Sequence, residues 1–297
     1  MAAGRTEGRH DQAHGLDARQ PVDVLKVLAE GQQAAAAVVD AAIADIASAA
    51  RLAADMLIAG GRLVYAGAGS SGLMAMADAL ELPGTYGIAH DRIVILLAGG
   101  AASLVDLAGG YEDDRALAVS EASAAAIGPG DCVIVVSASG STPYALAMAD
   151  HAREKGARVV ALANNPGAAL FANADAAILL QTPPEVISGS TRMGAGTAQK
   201  IAFNMFSTLV GVHLGHVHDG HMVNLKADNL KLKGRACRIV SDISGVELDE
   251  AERLLARSEG SIKTAVLLAA GVQDAGGAAA LLDRSGQSLR RALEVLG

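Results

Sequence analysis

Five short apolar runs alternate with alanine-rich segments, and that alternation constrains the fold more than any other feature of the 297 residues. The runs fall at 62–66, 92–97, 132–136, 158–162 and 176–180 and are built mainly from Val, Ile, Leu and Ala. Between them, 115–126 and 143–155 read as helices. Apolar runs with no in-and-out alternation belong to strands buried on both faces. Strands alternating with helices make a parallel sheet covered on both sides. The expected fold class is therefore α/β, a doubly wound parallel sheet flanked by helices, with a small C-terminal helical bundle.

The rest of the chain fits around that sheet. Residues 1–20 read as a poorly periodic polar arm. Residues 21–59 are rich in Ala, Val, Leu and Ile, with Asp40, Asp45 and Asp55 at intervals suited to one polar helical face, and Gly60-Gly61 stops the helix. A long helix is expected over 196–214. Beyond about Ile239 the character changes, and the chain reads as three short helices. These shifts predict an N-terminal arm and helix over 1–45, the sheet domain over 46–234 and a helical domain over 235–297.

Composition removes several function classes. Aromatic residues make up 2% with no Trp, which argues against base stacking as the main activity. Lys and Arg number 24 against 32 Asp and Glu, a formal net charge of −8, so no basic face awaits a polyanion and nucleic acid is not an expected partner. A small anion is different, because backbone amides at a helix start hold it without side-chain charge. Cys132 and Cys237 match no metal spacing, and Cys132 reads as a buried small residue. The N-terminus lacks the basic-then-apolar order of a signal peptide. No uncharged apolar stretch reaches the roughly 18 residues of a membrane span. A cytoplasmic protein without a membrane partner is expected.

Two loops carry the chemistry. "YAGAGSSG" follows the first strand with Gly67-x-Gly69-x-x-Gly72, a spacing shared with dinucleotide sites. Such sites also need an acidic residue at the end of the second strand for the ribose hydroxyls. Here that strand ends Leu96-Leu97-Ala98-Gly99-Gly100. Ser70 and Ser71 instead stand where a helix opens, and hydroxyls beside free amides suit a phosphate monoester. "SASGSTP" follows the third strand and repeats the pattern with Ser137, Ser139, Gly140, Ser141 and Thr142 before Pro143, which suits the first turn of a helix. Two such loops at the carboxyl ends of parallel strands meet at a topological switch point. A third segment, "EVISGSTRMGAGTAQK", brings Glu185, Ser188, Ser190 and Thr191 ahead of another helix and is expected to close the same pocket. The alternative for each loop is an ordinary Ser/Thr helix cap.

Taken together, "GAGSSG", "SASGSTP" and "GSTRMGAGTAQK" resemble the sugar isomerase (SIS) domain. With "TEGR", "DALELPGTYG", "GGYEDD" and "MVNLKADNLKLKGRACRIV", the chain resembles the N-acetylmuramic acid 6-phosphate etherase family nearly end to end. The resemblance implies cleavage of a D-lactyl ether from a sugar 6-phosphate, no metal or organic cofactor, a cytoplasmic homodimer and a UBA-like C-terminal domain. It also implies two catalytic glutamates, by motif position Glu81 and Glu112. Apolar neighbours favour a neutral carboxyl, and Glu81 stands between Leu80 and Leu82, an expected proton donor. Glu112, beside Asp113 and Asp114, is the expected base, and the phosphate falls to Ser70, Ser71, Ser139, Ser141 and Thr142, with Gly69 beside them.

The chain departs from the family where Arg usually stands in the second loop, here Ser141, and around Glu81, where Ser-Glu-Cys-Pro-Pro is common. A non-catalytic sugar-phosphate regulator of a kinase and an aldose–ketose isomerase are the alternative readings; the first would use the same phosphate loops without needing both glutamates, and the second shares proton abstraction at C2. His213, His216, His218 and His221 lie close together in sequence but are not read as metal ligands. Asn204 and Asn229 are candidates for sugar contact.

Overall fold

The computed structural model describes residues 5–297, so the start of the expected arm, 1–4, lies outside the described residues. The chain divides into two compact units. One takes in the residues up to Leu80 together with Asp91–Ser207, and the other Glu81–His90 with Thr208–Gly297.

The first unit holds the sheet. Strands β1 (Arg62–Gly67), β2 (Ile93–Leu97), β3 (Asp131–Ser137), β4 (Arg158–Ala163) and β5 (Ala176–Leu179) are all parallel, in the order β2-β1-β3-β4-β5. They coincide with the five apolar runs to within a residue or so at each end. The central strand β3 is buried along its whole length, as a run without alternation requires. Cys132 sits there fully buried, and burial pushes its thiol up to about 12.

Helices α1 (Pro21–Ala37), α2 (Ile43–Ile58), α3 (Gly69–Tyr86), α4 (Arg115–Ala124), α5 (Pro143–Glu154) and α6 (Gly194–His213) complete the α/β pattern. One core joins Val64, Ala66, Val133 and Val135 of the sheet to Ala118 and Ala122 of α4 and to Ala145 and Met148 of α5. Alternate strand residues face the other way. Tyr65 is one of them, with its ring 6.0 Å from Phe203 of α6 and its hydroxyl donating to Asp78 at 3.1 Å. Helix α2 packs against β1, β3 and β5.

The single helix expected over 21–59 is in fact two, parted by a 3-10 turn at Val38–Ala42. The β-branched pair Val38-Val39 is stiff against the preceding helical turn, and a local tightening there is inexpensive. Asp40, Asp45 and Asp55 are all exposed.

The strand order places the site. After β1 the chain runs out to β2 on one side, then returns to β3 on the other. The carboxyl ends of β1 and β3 therefore flank a switch-point crevice. Gly67 stands in register with Val136, so the two hydroxyl loops leave the sheet side by side.

The second unit is helical. Helices α7 (Leu230–Ser244), α8 (Leu248–Arg257), α9 (Ile262–Ala269), α10 (Ala275–Arg284) and α11 (Leu289–Leu296) enclose a core that includes Val223, Val240, Leu254, Val266 and Leu281. Four helices follow Gly245 where three were expected. Ser261, Asp274 and Ser288 each cap a new start by accepting a backbone N–H with the side chain. Residue 235, the expected boundary, lies inside α7. A two-stranded antiparallel pair, β6 (Val217–His218) and β7 (His221–Met222), precedes the bundle. Among the described residues no helix is long and apolar enough to cross a membrane.

Candidate active site

The two hydroxyl loops and the third segment contribute to one cavity of about 260 Å³ in the sheet unit. Gly69, Ser70 and Ser71 line it from the start of α3, and Ser137, Ser139 and Thr142 from the loop after β3. Thr191 comes from the segment before α6, and Glu112 from a 3-10 turn at Gly109–Asp113. A larger cavity of about 470 Å³ lies in the helical unit, but its lining, with Lys226, Asp228 and Glu259, has no pair of hydroxyl loops.

The second loop is a hydroxyl cluster rather than a cap. Ser137 Oγ lies 2.8 Å from Thr142 Oγ1 and 3.2 Å from Ser139 Oγ. Thr142 occupies the N-cap of α5 but makes no side-chain cap bond, and Pro143 follows in the first turn. Gly140 is needed by shape: its φ is +69° and a Cβ there would collide with Ala168. It is not among the cavity-lining residues, nor is Ser141, whose hydroxyl turns back to Ser139 at 3.2 Å.

In the first loop the glycine pattern makes room for a carboxylate. Gly69 has φ +55°, and a Cβ on it would collide with Glu112 Oε1. Glu112 thus packs against the backbone that opens α3. Its pKa is raised, first by burial and then by the neighbouring charge of Asp113.

Two expected wall residues have other work, and a third is not among the cavity-lining residues. Glu185 is buried and caps α6, with its two oxygens accepting from Gly194 N and Ala195 N at 2.9 Å each. Ser188 bonds the carbonyls of Glu7 and Gly8, tying the arm down, and Ser190 is not among the cavity-lining residues. Asn204 binds Asp78, and Asn229 caps α7. Glu81 falls in the helical unit and is exposed. The apolar surroundings expected for it are absent, because successive helix residues point about 100° apart. Leu82 is 1% exposed while Leu80 is 63% exposed, so the two leucines do not enclose the residue between them.

Residues not expected at the site also appear. Thr6 and Glu7 of the arm line the cavity. Asn165, just past β4, holds the arm and the second loop together. Its amide nitrogen donates to Thr6 Oγ1 at 3.0 Å and to Ser139 O at 3.3 Å, and its oxygen accepts from Thr6 N at 3.3 Å. Two adjacent amide side chains directly after an apolar strand, at the ligand-binding edge of such a sheet, are the signal that could have drawn attention to them. Among the described residues no group of three or more His, Cys, Asp or Glu is arranged to hold a metal ion.

Comparison with known proteins bears on this site. Two family models, each of the SIS domain, match residues 28–164 and 114–216. An N-acetylmuramic acid 6-phosphate etherase of Deinococcus radiodurans is 43% identical, over 99% of this chain and 97% of its own. The chain belongs to the N-acetylmuramic acid 6-phosphate etherase family. Etherases of Symbiobacterium thermophilum and Mycolicibacterium smegmatis are 42% and 39% identical, covering 90% and 99% of this chain and 89% and 98% of their own. The protein is accordingly an enzyme of the lyase class, and its cavity is that of an SIS-type α/β sheet.

Proposed function

We propose that the protein is an N-acetylmuramic acid 6-phosphate etherase that converts its substrate to N-acetylglucosamine 6-phosphate and D-lactate, working in amino sugar metabolism as a cytoplasmic homodimer. The observation that carries this reading is a half-buried glutamate packed against the first of two hydroxyl loops, in a single cavity of a chain of that family. Ser70, Ser71, Ser139 and Thr142, with the free amides that open α3, suit the 6-phosphate.

In the open-chain sugar the C1 aldehyde acidifies the proton on C2. The Glu112 carboxylate takes that proton, the C2–H electrons form the C2=C3 bond, and the C3–O bond to lactate breaks. Burial and Asp113 make Glu112 a stronger base than a free glutamate. Glu81, by its place in "DALELPGTYG", supplies the proton to the departing lactate oxygen. As a carboxylate it then accepts a proton from the water that adds at C3, while Glu112 returns its proton to C2. Both groups end as they began.

The test is lactate release from N-acetylmuramic acid 6-phosphate in deuterated water. The Glu112→Gln variant should lose both lactate release and exchange at C2. The Glu81→Gln variant should lose release and keep exchange. Unimpaired release in either variant sinks the assignment, isomerised sugar without lactate points to an isomerase, and binding without turnover points to a regulator. Light scattering of the purified protein should give twice 29.9 kDa, and a mass of 29.9 kDa would reject the dimer.

A further inference from the structure

Ser71 lines the cavity, yet its hydroxyl is also held from behind. Gln199 of α6 donates from Nε2 to Ser71 Oγ at 3.0 Å, and the same nitrogen donates to Asn164 Oδ1 at 2.9 Å. Both amides are buried, Asn164 at 0% and Gln199 at 1% exposure. The contact joins three elements: the start of α3, the residue after β4 and the second turn of α6.

A serine hydroxyl has one hydrogen and two lone pairs. When an amide N–H occupies a lone pair, the hydroxyl hydrogen cannot point back along that bond and must seek an acceptor elsewhere. Ser71 lines the cavity, so a ligand there is within the directions left to that hydrogen. We propose that Asn164 and Gln199 form a relay that fixes the Ser71 hydroxyl as a hydrogen-bond donor to the phosphate of the bound sugar, making Gln199 a positioning residue for anion binding. The proposal rests on the reading of this cavity as the phosphate site. The donors run in one sense, Gln199 N–H to Ser71 O–H to phosphate, and each bond polarises the next.

The arrangement carries a cost that points the same way. Gln199 Oε1 and Asn164 Nδ2 are buried without a hydrogen-bond partner among the described residues. A pair of apolar side chains would avoid that penalty. What the amides add is the N–H aimed at Ser71.

Calorimetric titration of inorganic phosphate into the full chain tests the relay, alongside kcat and KM for lactate release. Gln199→Leu should weaken phosphate binding about tenfold, the scale of one hydrogen bond to a charged group. It should raise KM by a similar factor and change kcat by less than about twofold. Gln199→Glu should bind still more weakly, because its carboxylate would accept the Ser71 hydrogen and repel the anion. Ser71→Ala combined with Gln199→Leu should be no worse than Ser71→Ala alone. Phosphate affinity within about twofold of wild type in Gln199→Leu, or a loss that adds in full to that of Ser71→Ala, overturns the proposal. If Gln199→Leu does not fold, the nearly isosteric Gln199→Glu decides, and unchanged affinity there overturns it equally. A wild-type chain that fails to bind phosphate overturns the phosphate-site reading and the relay together. A wild type that binds, with variants that bind as well, overturns the relay alone.

Discussion

Glu112 and Asp113 are adjacent carboxylates, and the charge of the second adds to the effect of burial on the first. A base acts only when deprotonated, and the pKa of Glu112 is raised by burial and by Asp113. The acid limb of kcat/KM should therefore lie at higher pH than an ordinary glutamate would give, with activity lost as pH falls through the raised value. In Asp113→Asn one like charge is gone, the Glu112 pKa falls, and the limb should move down by roughly half a pH unit, the scale of one solvent-screened charge at short range. A limb that stays put or moves up would remove Glu112 from the role of base. At this scale the sequence was legible where motif position mattered and misleading where environment mattered. Glu112, named from "GGYEDD", lines the cavity, but the surroundings of Glu81 were misjudged, because neighbours in sequence are not neighbours in space on a helix.

Among elements, the strands were the easiest to read and the helix ends the hardest. A strand buried on both faces writes its burial directly as an apolar run, as β1, β3 and β4 do, and the half-buried edge strands β2 and β5 carry apolar runs as well. A residue that serves a distant helix leaves no such mark. Glu185 stands nine residues before Gly194, yet it satisfies two of the amides that α6 leaves free at its start. Its serine and threonine neighbours suggested a pocket wall instead. Asn164, Asn165 and Gln199 escaped notice for the same reason, since Asn165 meets Thr6 across 159 positions of sequence. The role of Glu185 has a direct consequence. Glu185→Ala should lower stability to urea by about 2 kcal/mol, the upper range for loss of a helix cap. Glu185→Gln, which keeps one acceptor oxygen, should cost about half of that. Unchanged stability in the alanine variant would place the cap elsewhere.

For the whole molecule, the sequence conveyed the class of architecture and the presence of a helical second part, but not where the division falls. A segment from the end of α3, Glu81–His90, belongs with Thr208–Gly297. Such a division is set by long-range contacts, and no shift in composition marks it. The net charge of −8 is legible at once, but its meaning depends on what the cavity contains. The cavity-lining residues include Glu7 and Glu112 and neither Lys nor Arg, so a phosphate placed there would meet hydroxyls and amides rather than a side-chain cation. On the proposed function, capture of a phosphorylated sugar would run uphill against the field of a chain of net charge −8. Added salt, which ordinarily slows the meeting of a protein and its charged ligand, should here hasten it. Between about 0.05 and 0.3 M sodium chloride, kcat/KM should rise by up to about threefold as the repulsion is screened. A fall over the same range would mean that a cation outside the cavity lining draws the substrate in. An enzyme built this way trades speed of encounter for indifference to the many other anions that a basic pocket would collect.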